Sequence, residues 1–289
     1  MMEPLIVKKN DESIIPEEEP PAVLVKEETQ VPEELPLDEG EATSSLSDLI
    51  DRIKTGIYYI RHPRKKLPEY DPKTHGHLVE FEVPEGFNEV ERYWVNEPYS
   101  FISILEKNNI YLYHVAEPML TLYEKDILER VYDDLQDILS LGGIASRKDK
   151  EEILMENALI LFNRYRASLK TPSTLRILYY LKRNFLGHDR INSLMIDPNI
   201  EDISCDGIGI PIFMYHNKYR NIKTNISFVE EELNSLVIKL CQKSGKHISI
   251  SEPMVDATLP DGSRLQATLG KEITTRGSSF TIRKFGETL

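Results

Sequence analysis

The sequence predicts an α+β fold: a small antiparallel β-meander with an antiparallel three-helix bundle, followed by a second α+β domain built on an antiparallel sheet. Three observations carry that reading. Apolar and aromatic residues alternate with period 2 over residues 77–116, and the period becomes 3.6 after Pro118. From Ile191 onward short alternating runs flank a single helical pattern, with Pro260-Asp-Gly-Ser263 between two of them.

Composition sets the frame. The chain has 289 residues, 35 Lys+Arg against 48 Asp+Glu, 40% hydrophobic residues and two cysteines. That length suggests two domains. The formal charge is −13, and residues 1–40 alone hold 12 acidic and 3 basic side chains. No apolar run reaches the roughly 18 residues of a membrane span, and the start does not have the form of a secretory signal. Cys205 and Cys241 stand alone, which argues against a disulfide framework or a cysteine zinc site. A cytosolic protein is expected.

Residues 1–43 form a proline-broken acidic leader without aromatic residues, expected to be disordered; a docking arm for a basic partner is the sharper alternative. Residues 44–187 are read as an N-terminal domain and 188–289 as a second one. Leu46, Leu49, Ile50 and Ile53 have helical spacing up to Tyr59, and Arg61-His-Pro-Arg-Lys-Lys66 is a basic loop. Phe81, Tyr93-Trp-Val95, Tyr99–Ile104 and Ile110–Val115 supply the meander.

Three helices follow. Thr121 and Glu124 have capping-box spacing ahead of Ile127, Val131, Leu135 and Ile138, and Gly142-Gly143 ends the pattern. Asp149 is positioned to cap a helix carrying Leu154, Ala158, Leu161, Tyr165 and Leu169. Thr171-Pro172 reads as cap and first turn of a third, with Leu175, Leu178, Tyr179 and Phe185, closed by Gly187. The short connections predict an antiparallel bundle. In the last part, Ile200–Asp206 and Ile210–Tyr215 read as strands. Ser227 with Glu230 forms a second capping box before Leu233, Leu236, Val237, Leu240 and Cys241, with Gly245 at the helix end. Met254–Leu259 and Arg264–Leu269 flank the Pro-Asp-Gly turn, and Ser279–Lys284 is the final strand.

Alternation then sorts the side chains. Val255, Ala257, Leu259, Leu265, Ala267, Leu269, Phe280 and Ile282 face the core, so Arg264, Gln266, Thr268, Thr281 and Arg283 face away. Arg276 sits in the Thr274-Thr-Arg-Gly277 loop. Residues 264–289 hold five basic side chains against two acidic ones, a local excess in an acidic chain. Arginine suits bidentate phosphate recognition; arginines on a strand can also simply cover a solvent face. Elsewhere the chemistry is thin. His75 and His77 lack a marked third metal ligand. Asp206-Gly-Ile-Gly209 is no dinucleotide fingerprint, and Ser244-Gly-Lys-His247 lacks the glycine spacing and the Ser/Thr of a phosphate loop. Catalysis by this chain alone is not expected.

Several ordered motifs together resemble one family. They are Leu194–Gly207, Thr224–Phe228, Gly245–Ile250, Pro253–Arg264 and Thr274–Phe285. They are similar to the N-terminal region of archaeal secretion ATPases, the type II/type IV secretion, pilus and archaellum motors. The resemblance is dense over 187–285, looser over 77–187 and absent from the leader. It implies a PAS-like second domain that contacts nucleotide, a following RecA-like ATPase domain, a homo-hexameric ring and an integral membrane platform protein as partner. It further implies cytoplasmic location, peripheral at the membrane, with ATP as the ligand and Mg2+ held outside these residues. Its phosphate-contacting arginines correspond to Arg264 and Arg283, with Arg276 a weaker third. The phosphate loop and acidic metal-binding motif would lie beyond Leu289, so this region is expected to be inactive alone. A stand-alone interaction module without nucleotide is the alternative; a nucleic-acid binder is disfavoured by the acidic balance.

Overall fold

The computed structural model describes residues 67–140, 147–271 and 273–286. A short helical turn, α1 (Pro72–His75), precedes the meander of β1 (Asn88–Asn96), β2 (Ser100–Lys107) and β3 (Ile110–Ala116). The strands pair antiparallel, and the β2–β3 turn is made by Asn108 and Asn109 at φ 55° and 61°. Asparagine tolerates that left-handed region, and two such residues match the twist of a tight hairpin.

The bundle comprises α2 (Leu122–Ser140), α3 (Arg147–Arg164) and α4 (Thr171–Phe185). Ile127, Val131, Leu135, Leu154, Ala158, Leu161, Ile177, Leu178 and Leu181 make its core. Each large aliphatic side chain buried there contributes about 1.5–3 kcal/mol. The first capping box forms in full: Thr121 Oγ1 accepts the Glu124 N–H at 3.2 Å, and the Glu124 carboxylate accepts the Thr121 N–H at 2.8 Å. Two other expected caps move. Helix α3 already begins at Arg147, so Asp149 lies inside its first turn, and α4 has Lys170 as its N-cap with Thr171 as the first helical residue. Gly142-Gly143, the expected helix over Leu46–Tyr59 and the leader lie outside the described residues.

After a 3-10 turn (Asp189–Ile191) and α5 (Asn192–Ile196) come β4 (Ile200–Cys205), β5 (Phe213–His216), β6 (Arg220–Thr224), α6 (Glu230–Lys243), β7 (Met254–Thr258), β8 (Arg264–Thr268) and β9 (Ser279–Arg283). The N-cap of α6 is Val229, not Ser227, and Glu232 accepts the Val229 N–H at 3.4 Å. The order across the sheet is β1-β2-β3-β6-β5-β4-β9-β8-β7. A parallel contact of β3 with β6, Leu112 opposite Lys223 and Tyr113 opposite Thr224, joins the meander to the later strands in one nine-stranded sheet. The α+β class read from the sequence holds, with antiparallel pairing dominant.

One face of that sheet is the core. Ile102, Ile104, Tyr113, Ile203, Met214, Ile222, Leu265, Ala267, Phe280 and Ile282 pack there with α5 and with Leu233, Leu236, Val237, Leu240 and Cys241 of α6. The opposite face of the meander is covered by Val79 and Phe81 packing on Phe101 and Ala116. Polar contacts bind bundle to sheet. Arg183, almost wholly buried, donates to Glu117 at 2.5 Å, Tyr179 donates to the same carboxylate at 2.6 Å, and Lys239 and Lys243 cap the last carbonyls at the end of α4.

Candidate functional site: an arginine pair on the open sheet face

The open face of β6-β5-β4-β9-β8-β7 carries the residues of interest. Residues paired across neighbouring strands share a face. Register places Arg264 of β8 opposite Arg283 of β9, Arg283 opposite Asp202 of β4, and Asp202 opposite Tyr215 of β5. The adjacent row is Gln266, Thr281, Ser204 and Phe213. Arg264, Arg283, Gln266 and Thr281 together with Asp202 and Asp256 line a hollow of about 270 Å³.

The β7–β8 hairpin owes its position to its turn. Gly262 at φ +88° occupies the left-handed region, and a Cβ there would meet the Phe285 ring at 3.2 Å. Asp261 accepts the Ser263 N–H at 3.1 Å and its hydroxyl at 3.0 Å, and Ser263 Oγ accepts the Phe285 N–H at 3.1 Å. The turn is thereby stitched to the segment following β9, which fixes Arg264 beside Arg283.

The two guanidinium groups differ in their surroundings. Arg283 Nε donates to Asp202 Oδ1 at 2.9 Å while 77% of its side chain remains exposed. That hydrogen bond and the Asp202 charge hold the Arg283 pKa above its ordinary value. The Arg264 side chain is exposed and makes no ion pair or hydrogen bond with any described residue. The other cations of the basic excess are engaged or distant. Lys271 pairs with Glu230 at 3.0 Å. Lys284 turns inward to the backbone carbonyls of Leu194 and Asp197, where burial lowers its pKa against the opposing pull of Asp197 and Asp261.

Arg276 does not line the hollow. It precedes β9 at the end opposite Arg283, and its carbonyl accepts the Ile208 N–H at 3.0 Å. Gly207, at φ +134°, lets the two loops close: a Cβ there would lie 2.7 Å from the Arg276 Cβ and carbonyl oxygen. The sequence reading missed Asp202 and Asp256. Alternation along β4 would have pointed Asp202 outward, but nothing local to β4 says that β9 is its neighbour.

Among the described residues no group of three or more His, Cys, Asp or Glu is placed to hold a metal ion, and no helix is long and apolar enough to cross a membrane. Both cysteines are buried and free.

Residues 47–119 match the family model described as PilB3-like, N-terminal. The uncharacterized protein MJ1288 of Methanocaldococcus jannaschii is 38% identical over 171 residues, covering 58% of this chain and 67% of MJ1288. The uncharacterized protein MJ0781 of the same organism is 26% identical over 190 residues, covering 64% of this chain and only 25% of that longer protein. The crystal structure of the VirB11 ATPase from the Brucella suis type IV secretion system, in complex with sulphate, aligns with 32% of this chain and 27% of its own, at 26% identity and a TM-score of 0.28. On the extent of its match to MJ1288, this chain belongs to the family of that protein, and it carries a PilB3-like N-terminal domain.

Proposed function

We propose that this chain is the N-terminal module of a secretion or pilus-like filament-assembly ATPase. In this reading it presents Arg264 and Arg283 to the phosphates of ATP held by a following RecA-like domain, in the same or a separate chain. The observation that carries it is the cross-strand placement of two exposed arginines at one hollow, in a chain with a PilB3-like N-terminal domain. Two planar forks side by side match the oxygens of a polyphosphate and neutralise charge that grows during phosphoryl transfer. The phosphate cradle and the Mg2+ ligands belong to the partner domain, so ATP is a substrate shared between the two. The same reading makes the working assembly a homo-hexamer, cytoplasmic and docked on an integral membrane platform protein.

A second reading is favoured by one feature: Asp202 and Asp256 line the same hollow and balance its charge. A stand-alone interaction module would use such a mixed surface for a protein partner without nucleotide.

The encoding reading frame and the proteins that co-purify with the chain separate the two. The proposal expects a Gly-x-x-x-x-Gly-Lys-Ser/Thr sequence either downstream of Leu289 or in a stably bound partner chain. Its absence from both contradicts the proposal.

A further inference from the structure

Arg283 stands in an asymmetric position: β8 presents a guanidinium on one side of it and β4 a carboxylate on the other, each one strand away, about 4.8 Å in the hydrogen-bonding direction. Like charges directly opposite on neighbouring strands repel. The contact that offsets this repulsion is the 2.9 Å bond to Asp202. Resting on the phosphate-contacting reading above, we propose that Asp202 is a positioning residue that parks Arg283 until an anion enters. Polyphosphate then meets Arg264 first, because that fork has no partner among the described residues, and takes Arg283 from Asp202 by exchanging one oxygen acceptor for another.

Three features make the exchange feasible. The Arg283–Asp202 pair is solvent-exposed and so is weakly held, as surface ion pairs are. Both ends of the exchange line one hollow, so Arg283 need only swing within it. Phosphate oxygens offer the guanidinium the same acceptor geometry as a carboxylate, with more charge. The arrangement gives the two arginines different tasks: Arg264 captures, and Arg283 responds.

The inference is tested on the 289-residue chain by titrating inorganic tripolyphosphate and following the arginine Nε–Hε signals by NMR. In the free protein the Arg283 signal is expected to be shifted by its acceptor and to lose that shift in Asp202→Asn. Asp202→Asn should tighten tripolyphosphate binding about fivefold to tenfold, and more than the charge-matched control Asp256→Asn. That surplus should vanish in Asp202→Asn combined with Arg283→Ala, because it acts through Arg283. A surplus that persists in the double variant, or an equal effect of the Asp256→Asn control, overturns the parking role while leaving the arginine reading intact. If Arg264→Ala and Arg283→Ala bind tripolyphosphate as the parent does, or if neither the parent nor Asp202→Asn binds it, the parking role falls, while the arginine reading, in which a partner domain holds the phosphates, is decided by turnover in the ATPase-containing protein.

Discussion

The Tyr113 hydroxyl, on the last strand of the meander, donates a 2.7 Å hydrogen bond to Oδ2 of Asp197, a residue with no exposed surface just before β4. Tyr93 donates to the same oxygen at 2.7 Å, while the Asn199 N–H serves Oδ1 at 2.8 Å. One buried carboxylate thus ties β1 and β3 to the start of the later strands, supplementing the short parallel contact of β3 with β6. Burial and the Asp197 charge raise the pKa values of both tyrosines, so these hydroxyls remain donors at any ordinary pH.

Removing one donor leaves the carboxylate short of a partner in a buried site. Tyr113→Phe is expected to lower stability by about 1–3 kcal/mol, the usual cost of leaving a buried polar group unsatisfied. Urea unfolding followed by circular dichroism checks this. A change below a few tenths of a kcal/mol would show that the meander is held by its backbone pairing alone.

Histidine 216 adds a pH dependence with a defined sign. Its Nδ1 accepts the Lys218 N–H at 3.1 Å, and its Nε2 lies 3.4 Å from the Tyr93 hydroxyl. Burial lowers its pKa below the ordinary 6.5 despite Asp197 and Glu91 nearby, and burial also lowers that of His114. Above pH 6.5 folded and unfolded chains are both neutral at these rings. As the pH falls below 6.5 the unfolded chain binds protons that the folded one refuses, so stability drops. The carboxylates of Glu89, Glu91 and Glu124 have pKa values lowered from 4.5, so they withdraw their contribution only at more acid pH. His216→Gln should therefore flatten the stability profile between about pH 6.5 and 4.5. An unchanged slope in that window would contradict the assignment.

The junction of bundle and sheet depends on Arg183. Burial disfavours its charge, but Glu117, Tyr179, Asp189 and Tyr180 more than offset this and raise its pKa. Arg183→Met would leave the Glu117 carboxylate, 18% exposed, without its cation. A loss of about 3–5 kcal/mol is expected, as when one partner of a buried pair is deleted. Thermal unfolding of Arg183→Met against a Glu117→Gln/Arg183→Met double variant measures it, and the double variant should recover part of the loss.

Gly207 controls the Arg276 loop. Alanine at φ +134° strains the backbone, and its Cβ would collide with Arg276. Gly207→Ala should destabilise the protein by about 1–3 kcal/mol and increase amide exchange across residues 274–278. Normal exchange there would show that the loop adapts freely.

The sequence was most legible where local pattern and burial agree. Period 2 put Arg264 and Arg283 on the outer face and Leu265, Ala267, Phe280 and Ile282 in the core, because a strand with one buried face admits a single register. The Thr121–Glu124 box formed because both partners lie within one turn. The capping expected of Ser227 failed for a reason local pattern does not contain: the chain already runs helically only from Glu230, which makes Val229 the cap and Glu232 the acceptor of its N–H. Strand neighbours were invisible for a related reason. Asp202 and Arg283 are 81 residues apart, and their contact exists because β9 returns to pair with β4. Likewise Leu112 and Lys223 carry no mark of the pairing that merges the meander with the later strands.

The most direct test of the arginine account is ATP turnover in the ATPase-containing protein or complex that includes this region, measured for Arg264→Lys and Arg283→Lys alongside their melting temperatures. Lysine keeps the charge and loses the fork, and arginines that stabilise phosphoryl transfer account for as much as about 10³–10⁵ in rate. Turnover is predicted to fall at least about tenfold in each variant, with melting temperatures unchanged because both side chains are exposed on the open face. Parental turnover in both variants would contradict the account and leave Arg264 and Arg283 as surface charges.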